Sequence, residues 1–330
     1  MKFLDLFAGI GGFRMGLESL GHECVGFCEI DKFARKSYKA IYDTEGEIEL
    51  HDITEVANEE WRKFRGTVDI ICGGFPCQAF SIAGKRKGFL DETRGTLFFE
   101  IARAAKEIKP PLLFLENVKG LLSHDKGRTF RTILSTLDEL GYDAECQVLN
   151  SKDFGVPQNR ERVYIVGHLR GECTRPVFPI RGENGTTNQV KQIGNINNST
   201  SFGGNPQTGR VYDIDGISPT LNTMQGGGRE PKVAVPVLTP DRANKRQNGR
   251  RFKTNGEPTF TLTAQDRHGV MTEGLKIRKL TPRECWRLQG FPDWAFDKAQ
   301  EVNSKTQLYK QAGNSVTVNV IKAIAERLEK

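Results

Sequence analysis

What most limits the fold of this 330-residue chain is its opening half, where residues 1–170 alternate between short apolar, β-branched runs and stretches of helical period. Lys2–Phe7, Cys24–Cys28, Val68–Cys72 and Leu112–Leu115 read as strands. Phe13–Leu20, Lys32–Tyr42, Leu97–Ile108 and Thr129–Leu140 read as helices, the last closed by Gly141. Strands separated by helices predict an α/β fold on a parallel, doubly wound sheet, because parallel neighbours need a crossover that covers the sheet faces. Tyr142–Leu149 and Arg162–Leu169 then follow as a pair of strands close enough in sequence to lie antiparallel.

After Gly171 the texture changes to Gly, Asn, Thr and Pro with little helical pattern, which predicts a second, smaller, loop- and strand-rich domain. Two stretches within it, one from Arg210 to Gln225 and one from Arg250 to Gln265, are alike, as a pair of similar hairpins or an internal duplication would be. Between Gly171 and Ile277 there are 14 Lys/Arg against 9 Asp/Glu, so +5 of the chain's net +7 is concentrated there, which suits a polyanionic partner. From Leu275 the pattern is helical again: Thr281-Pro282-Arg283-Glu284 reads as a capped start, and Ser315–Leu328 as an amphipathic helix.

No apolar run reaches the eighteen or so residues of a membrane span, and the chain begins without a basic-then-apolar leader, so a cytoplasmic protein that avoids membranes is expected. Seven scattered cysteines (24, 28, 72, 77, 146, 173 and 285), with no CxxC pair, argue against a disulfide framework or a zinc site. Six of them read as small buried hydrophobes.

The turn Asp5-Leu-Phe7-Ala-Gly9-Ile-Gly11-Gly12-Phe13 leaves the first strand and opens the first helix, where glycines let backbone N–H groups approach a ligand. Glu29 ends the second strand seventeen residues after Gly12, in the place of a ribose-binding carboxylate, with Asp31 beyond it. A nicotinamide dinucleotide would suit such a turn too, although its pattern wants glycine where this chain has Arg14.

The run Val68-Asp-Ile-Ile-Cys-Gly-Gly-Phe75-Pro76-Cys77-Gln78-Ala-Phe80-Ser81 is more specific. Phe-Pro-Cys-Gln after a strand resembles the catalytic motif of cytosine-C5 DNA methyltransferases of the bacterial and phage restriction–modification type, and further matches follow in that family's order. Asp5–Phe13 resembles its cofactor turn, Glu29-Ile30-Asp31 and Asp52-Ile53 its ribose and adenine contacts, Glu116-Asn117-Val118 its acid motif, and Gln158-Asn-Arg160-Glu-Arg162 its Gln-x-Arg-x-Arg motif. Arg283-Glu-Cys-Trp-Arg-Leu-Gln-Gly290-Phe-Pro292 and Gln311-Ala-Gly313-Asn314-Ser315-Val316 resemble its last two.

The resemblance implies a Rossmann-like, S-adenosylmethionine-dependent methyltransferase that acts on double-stranded DNA. It implies cofactor contacts from Phe7, Gly9, Gly11, Gly12, Glu29, Ile30, Asp52, Ile53, Leu97, Asn314 and Ser315. Carbon 5 of cytosine is a poor nucleophile, and a thiolate added at carbon 6 makes an enamine of the ring. Cys77 would supply that thiolate, favoured by positive charge from Arg160 and Arg162. By resemblance Arg162 also holds the cytosine O2, and Glu116 acts as the acid at N3, a role worth roughly 10²–10⁴ in rate. Carbon 6 is out of reach inside a duplex, so the base is flipped out. Ser81–Thr96, carrying Lys85, Arg86 and Lys87 toward phosphates, resembles the family's mobile catalytic loop. Gln78 and Ser81 join the expected DNA contacts, with Arg210, Gln225, Arg229, Arg250, Gln265 and Arg267 as candidate readers of bases and Arg242, Lys245, Arg246, Arg250 and Arg251 as phosphate contacts.

The division expected from the resemblance is a catalytic and cofactor domain of residues 1–170 plus 309–330, a target-recognition domain of 171–277 and a hinge of 278–308, with Asn314-Ser315 opening the final helix. The enzyme is expected to work as a monomer, with a companion restriction endonuclease a functional rather than a physical partner. Three other readings stay open at this point: a tRNA cytosine-C5 methyltransferase, a non-catalytic DNA-binding regulator and a nicotinamide oxidoreductase.

Overall fold

The structure is a computed structural model that describes residues 1–76, 97–156, 158–172, 174–182 and 281–328, with the backbone of short strands between residues 192 and 279. Eight strands belong to the first half: β1 (Lys2–Leu6), β2 (Glu23–Cys28), β3 (Ile48–Leu50), β4 (Ile70–Gly74), β5 (Leu112–Val118), β6 (Tyr142–Asn150), β7 (Gln158–Asn159) and β8 (Glu161–Leu169). Seven of them form one sheet in the order β3-β2-β1-β4-β5-β8-β6. Strands β1 to β5 pair in parallel, whereas β8 is inserted antiparallel between β5 and β6. The sheet is therefore mixed rather than wholly parallel. A hairpin-like β6–β8 pair can add antiparallel at an edge without the helical crossover that a parallel strand requires.

Helices α1 (Gly12–Glu18), α2 (Lys32–Ile41), α3 (Asn58–Arg62), α4 (Leu97–Ile108) and α5 (Arg128–Glu139) separate these strands, and α6 (Pro282–Leu288), α7 (Asp293–Val302), α8 (Lys305–Asn314) and α9 (Val318–Ala325) follow the central region. On one face of the sheet Leu4, Ile71, Leu113 and Ile165 bury against Trp61, Phe98, Ile101 and Ile133 of α3, α4 and α5. On the other, Phe3, Ile70, Phe114 and Tyr164 meet Phe13 and Leu17 of α1 and Val320, Ile321 and Ile324 of α9. Each such side chain contributes roughly 1.5–3 kcal/mol by leaving water. A third cluster joins Phe27, Tyr38, Ile41 and Tyr42 to Trp286, Phe291, Phe296 and Leu308, so α6 to α8 pack beside α2.

Thr281 caps α6 with a full capping box: its hydroxyl accepts from the Glu284 N–H, and the Glu284 carboxylate accepts from the Thr281 N–H. The final helix starts at Val318, not at Asn314-Ser315, since Asn314 is the last residue of α8 and Ser315 its C-cap. Ser315 and Thr317 between the two helices are extended, and both take part in the buried bonds described below. Cys24, Cys28, Cys72 and Cys285 are buried as expected, but Cys146, on the outer edge strand β6, is exposed among the described residues. Cys77 and Cys173 lie outside the described residues.

In the central region Gln192–Asn195, Arg210–Asp213, Lys232–Ala234 and Arg278–Lys279 form a four-stranded sheet. Ser218–Pro219 pairs in parallel with β7 of the first half. Most of the two similar stretches between Arg210 and Gln265 lies outside the described residues. No helix among the described residues is long and apolar enough to cross a membrane.

Candidate active site

The order of the sheet reverses at β1, whose neighbours are β2 on one side and β4 on the other, and a ligand crevice is expected beyond the carboxyl ends of the strands at such a point. A cavity of ≈ 360 Å³ opens there. Its walls come from the ends of β1 (Phe7, Gly9, Ile10), β2 (Glu29, Asp31), β4 (Gly74, Phe75, Pro76), β5 (Glu116, Asn117, Val118) and β8 (Arg160, Arg162), and from α8 with its C-terminus (Lys310, Gln311, Gly313, Asn314).

The turn after β1 is strained in a way that suits its composition. Phe7, Gly9 and Gly11 all have left-handed φ, of 54°, 57° and 79°. Gly11 must be glycine twice over, because an added Cβ would also lie 2.3 Å from the Tyr42 ring. The Glu29 carboxylate faces this turn, accepting from the Gly9 N–H at 2.8 Å and from the Asp31 N–H at 2.7 Å. Burial pushes its pKa up, and those two N–H groups oppose the shift. When ionised, this carboxylate keeps acceptor capacity beyond those two bonds. Asp31 caps α2 through the N–H groups of Phe33 and Ala34 and pairs with Lys310 at 2.7 Å, joining the second strand to α8 across the cavity mouth.

The opposite wall holds the charged chemistry. Glu116 is buried, and its Oε1 lies 3.0 Å from Arg162 Nε. The antiparallel register sets Glu116 opposite Tyr164 and Val118 opposite Arg162, so acid and cation come from adjacent strands on one face. Burial raises the Glu116 pKa, and the charges of Arg162 and Arg160 only partly oppose it, so the group is poised to hold a proton above the ordinary carboxylate range. Asn117 bonds its side chain to the Phe75 carbonyl at 2.9 Å, which fixes Phe75-Pro76 to β5. Arg160 is buried too and donates to the carbonyls of Gly313 at 3.3 Å and Ser315 at 2.8 Å.

Of the residues singled out in the sequence, Phe7, Gly9, Glu29, Glu116, Arg160, Arg162 and Asn314 thus line one cavity. Gly11 and Gly12 lie behind it, Gly12 against Val316 and Ser315. Ile30 is 67% exposed outside it. Asp52 bonds Thr54 in its own turn, and Ile53 and Leu97 pack in the core; none of the three lines the cavity, nor does Ser315. Cys77, Gln78, Ser81, Lys85, Arg86, Lys87, Arg229, Arg242, Lys245, Arg246, Arg250, Arg251 and Arg267 lie outside the described residues, and Arg210 is described only as part of a strand. Lys310 and Gly74 were missed. Lys310 shares a helical face with Asn314, a signal readable only once 305–314 is recognised as a helix.

The model of the C-5 cytosine-specific DNA methylase family matches residues 1–330. The chain belongs to that family. It is a DNA cytosine-C5 methyltransferase, which sets aside the nicotinamide and regulator readings. The enzyme is 40% identical to the type II methyltransferase M.HpaII of Haemophilus parainfluenzae, over 99% of this chain and 88% of that protein. It is 37% identical to M.HhaI of Haemophilus parahaemolyticus, over 98% and 93%. The orphan methyltransferase M.SPRI of Bacillus phage SPR is 36% identical over 99% and 97%. Among solved structures the S. pombe Dnmt2 methyltransferase shares the fold, with a TM-score of 0.65 at 19% identity over 99% of this chain and 98% of that one.

Proposed function

We propose that the enzyme takes its methyl group from S-adenosylmethionine and delivers it to a cytosine flipped out of duplex DNA, through a transient bond between Cys77 and carbon 6 of the base. The observation that carries this reading is that one cavity has a carboxylate-and-glycine wall on one side and a buried Glu116–Arg162 pair on the other, with Pro76, the residue before Cys77, between them.

The first wall fits the donor: Phe7 offers a ring, Glu29 an acceptor for ribose hydroxyls and Asn314 an amide at the far end. When bound, S-adenosylmethionine would supply a methyl group on a cationic sulfur, whose S–CH3 bonding pair would stay on sulfur so that a neutral thioether is the leaving group. On the base, the Cys77 thiolate adds to carbon 6, forming an S–C6 bond while the C5–C6 π pair shifts to carbon 5. Glu116 holds its proton against N3, which drains charge from the ring as that pair develops, and Arg162 holds O2. After carbon 5 has accepted the methyl group, its proton leaves to a base, the C5–C6 double bond reforms and Cys77 departs as the thiolate. Recognition of a specific duplex sequence falls to the basic region of residues 171–277, while α6 to α8 beyond it pack with α2 of the catalytic region.

The test is covalent trapping. Duplex DNA containing 5-fluorocytosine throughout, incubated with the enzyme and S-adenosylmethionine, gives a heat-stable protein–DNA adduct, because fluorine blocks the final proton loss. Cys77→Ser forms none, transfers no methyl group and still binds DNA. Substantial turnover by Cys77→Ser, or no adduct with the wild type, overturns the mechanism. Preferential methylation of tRNA would redirect the substrate assignment instead.

A further inference from the structure

Gln289, at the C-terminus of α6, is not among the residues that line the cavity, yet it is fully buried and every end of it is used. Its Nε2 donates to the Ala312 carbonyl at 2.7 Å, its Oε1 accepts the Thr317 hydroxyl at 3.0 Å, and its backbone carbonyl accepts the Val318 N–H at 2.9 Å. Residues 312–318 are therefore held against one residue at three points. Between those points lie Gly313 and Asn314, which line the cavity. From the opposite side Arg160 grips the carbonyls of Gly313 and Ser315.

The same buried group extends to the base side of the site. Gln158 Nε2 donates to the Leu288 carbonyl at 2.8 Å and lies 3.4 Å from Gln289 Oε1, while the Ser151 and Thr317 hydroxyls are 2.8 Å apart. A primary amide is the side chain that meets these demands, since one end must donate and the other accept. Glutamate would set an acceptor against the Ala312 carbonyl, and an apolar residue would leave buried groups unmatched.

We propose that Gln289 is a positioning residue for the methyl donor: it sets the place of Asn314 in the cavity wall while touching no substrate itself. This rests on the assignment of Asn314 to the donor wall made above. It predicts that the effect of Gln289 runs through Asn314, so the two are not independent.

The test is a double-mutant cycle on the full-length enzyme, with S-adenosylmethionine affinity measured by calorimetry and duplex affinity by fluorescence anisotropy. Gln289→Met, which removes the bonds to both Ala312 and Thr317, is expected to weaken donor binding by about tenfold or more. DNA binding stays within about twofold of wild type, and in an Asn314→Ala background the added loss is under about twofold. Thr317→Val, which removes a single hydroxyl, gives the same pattern at about threefold and serves if Gln289→Met fails to fold. Unchanged donor affinity in Asn314→Ala removes Asn314 from the donor wall and the inference with it. A loss in Asn314→Ala to which the Gln289 or Thr317 loss simply adds, or equal losses for donor and DNA, overturns the inference alone.

Discussion

Replacing Gly74 by alanine sets one methyl group against the acid of the site. An added Cβ would lie 3.2 Å from Glu116 Oε2, 3.5 Å from Val316 Cγ1 and 3.9 Å from Phe13 Cε2. Only the first is tighter than ordinary contact, which begins at 3.4 Å, so the carboxylate must yield by a few tenths of an ångström. Gly74 is not in the left-handed region, so alanine is tolerated by the backbone and the substitution tests space alone. Displacements of about 1 Å at a reacting group cost on the order of 10² in rate, and a few tenths should cost about three- to tenfold in kcat. Stability should change by no more than about 1 kcal/mol, the small end of overpacking costs. Single-turnover methyl transfer at saturating donor and DNA, beside a thermal melt, measures both. A kcat at the wild-type level refutes the reasoning, and so does a loss carried wholly by the KM for the donor.

Two further outcomes follow from burial of acids. Because burial raises the Glu116 pKa, its protonated form persists above the ordinary carboxylate range, and kcat should fall as pH rises through the raised value; Glu116→Gln should lower kcat and flatten that limb, and an unaltered limb would assign it to another group. Asp5, fully buried beneath the turn, is pushed from 3.8 up to about 7, mainly by burial and against the pull of Arg14. The folded chain holds that proton where the unfolded chain has lost it, so stability falls as pH rises from about 4 to about 7. Asp5→Asn should remove that fall, gaining on the order of a few kcal/mol on wild type between pH 5 and pH 8, and parallel melting profiles of the two proteins would sink the argument.

The strands and helices of the first half were legible because their signals are local. Leu97–Ile108 is found at the bounds its periodicity gives, and Gly141 closes α5 with a φ of 89°. The three-residue β3 was not, since Ile48-Glu49-Leu50 carries too little alternation to stand out. Strand order was illegible for another reason: the insertion of β8 between β5 and β6 is decided by packing across the sheet, not by anything within either strand. The glycine turn and Glu29 could be read because each lies at the end of a strong apolar strand, whereas Glu116 and Arg162 were readable through the family motifs they resemble. The pattern places Asn314 at the start of the final helix rather than at the end of α8, and leaves Lys310 unmarked, because α8 buries little beyond Leu308, Gln311, Ala312 and Gly313 and its face is weakly marked. The sequence offers Arg160 as a charge for the thiolate. Its bonds to Gly313 and Ser315 come from parts of the chain 153 and 155 residues away, which no local pattern reveals.

The cavity walls come from both extremes of the chain, with Phe7 and Gly9 facing Lys310 and Asn314. A ribosome making this protein would therefore finish all seven strands of the sheet well before it had made the residues that close this crevice. A product stopped before residue 305 would carry Glu116 and Arg162 but lack the Lys310 and Asn314 wall that stands beside Glu29 and Asp31.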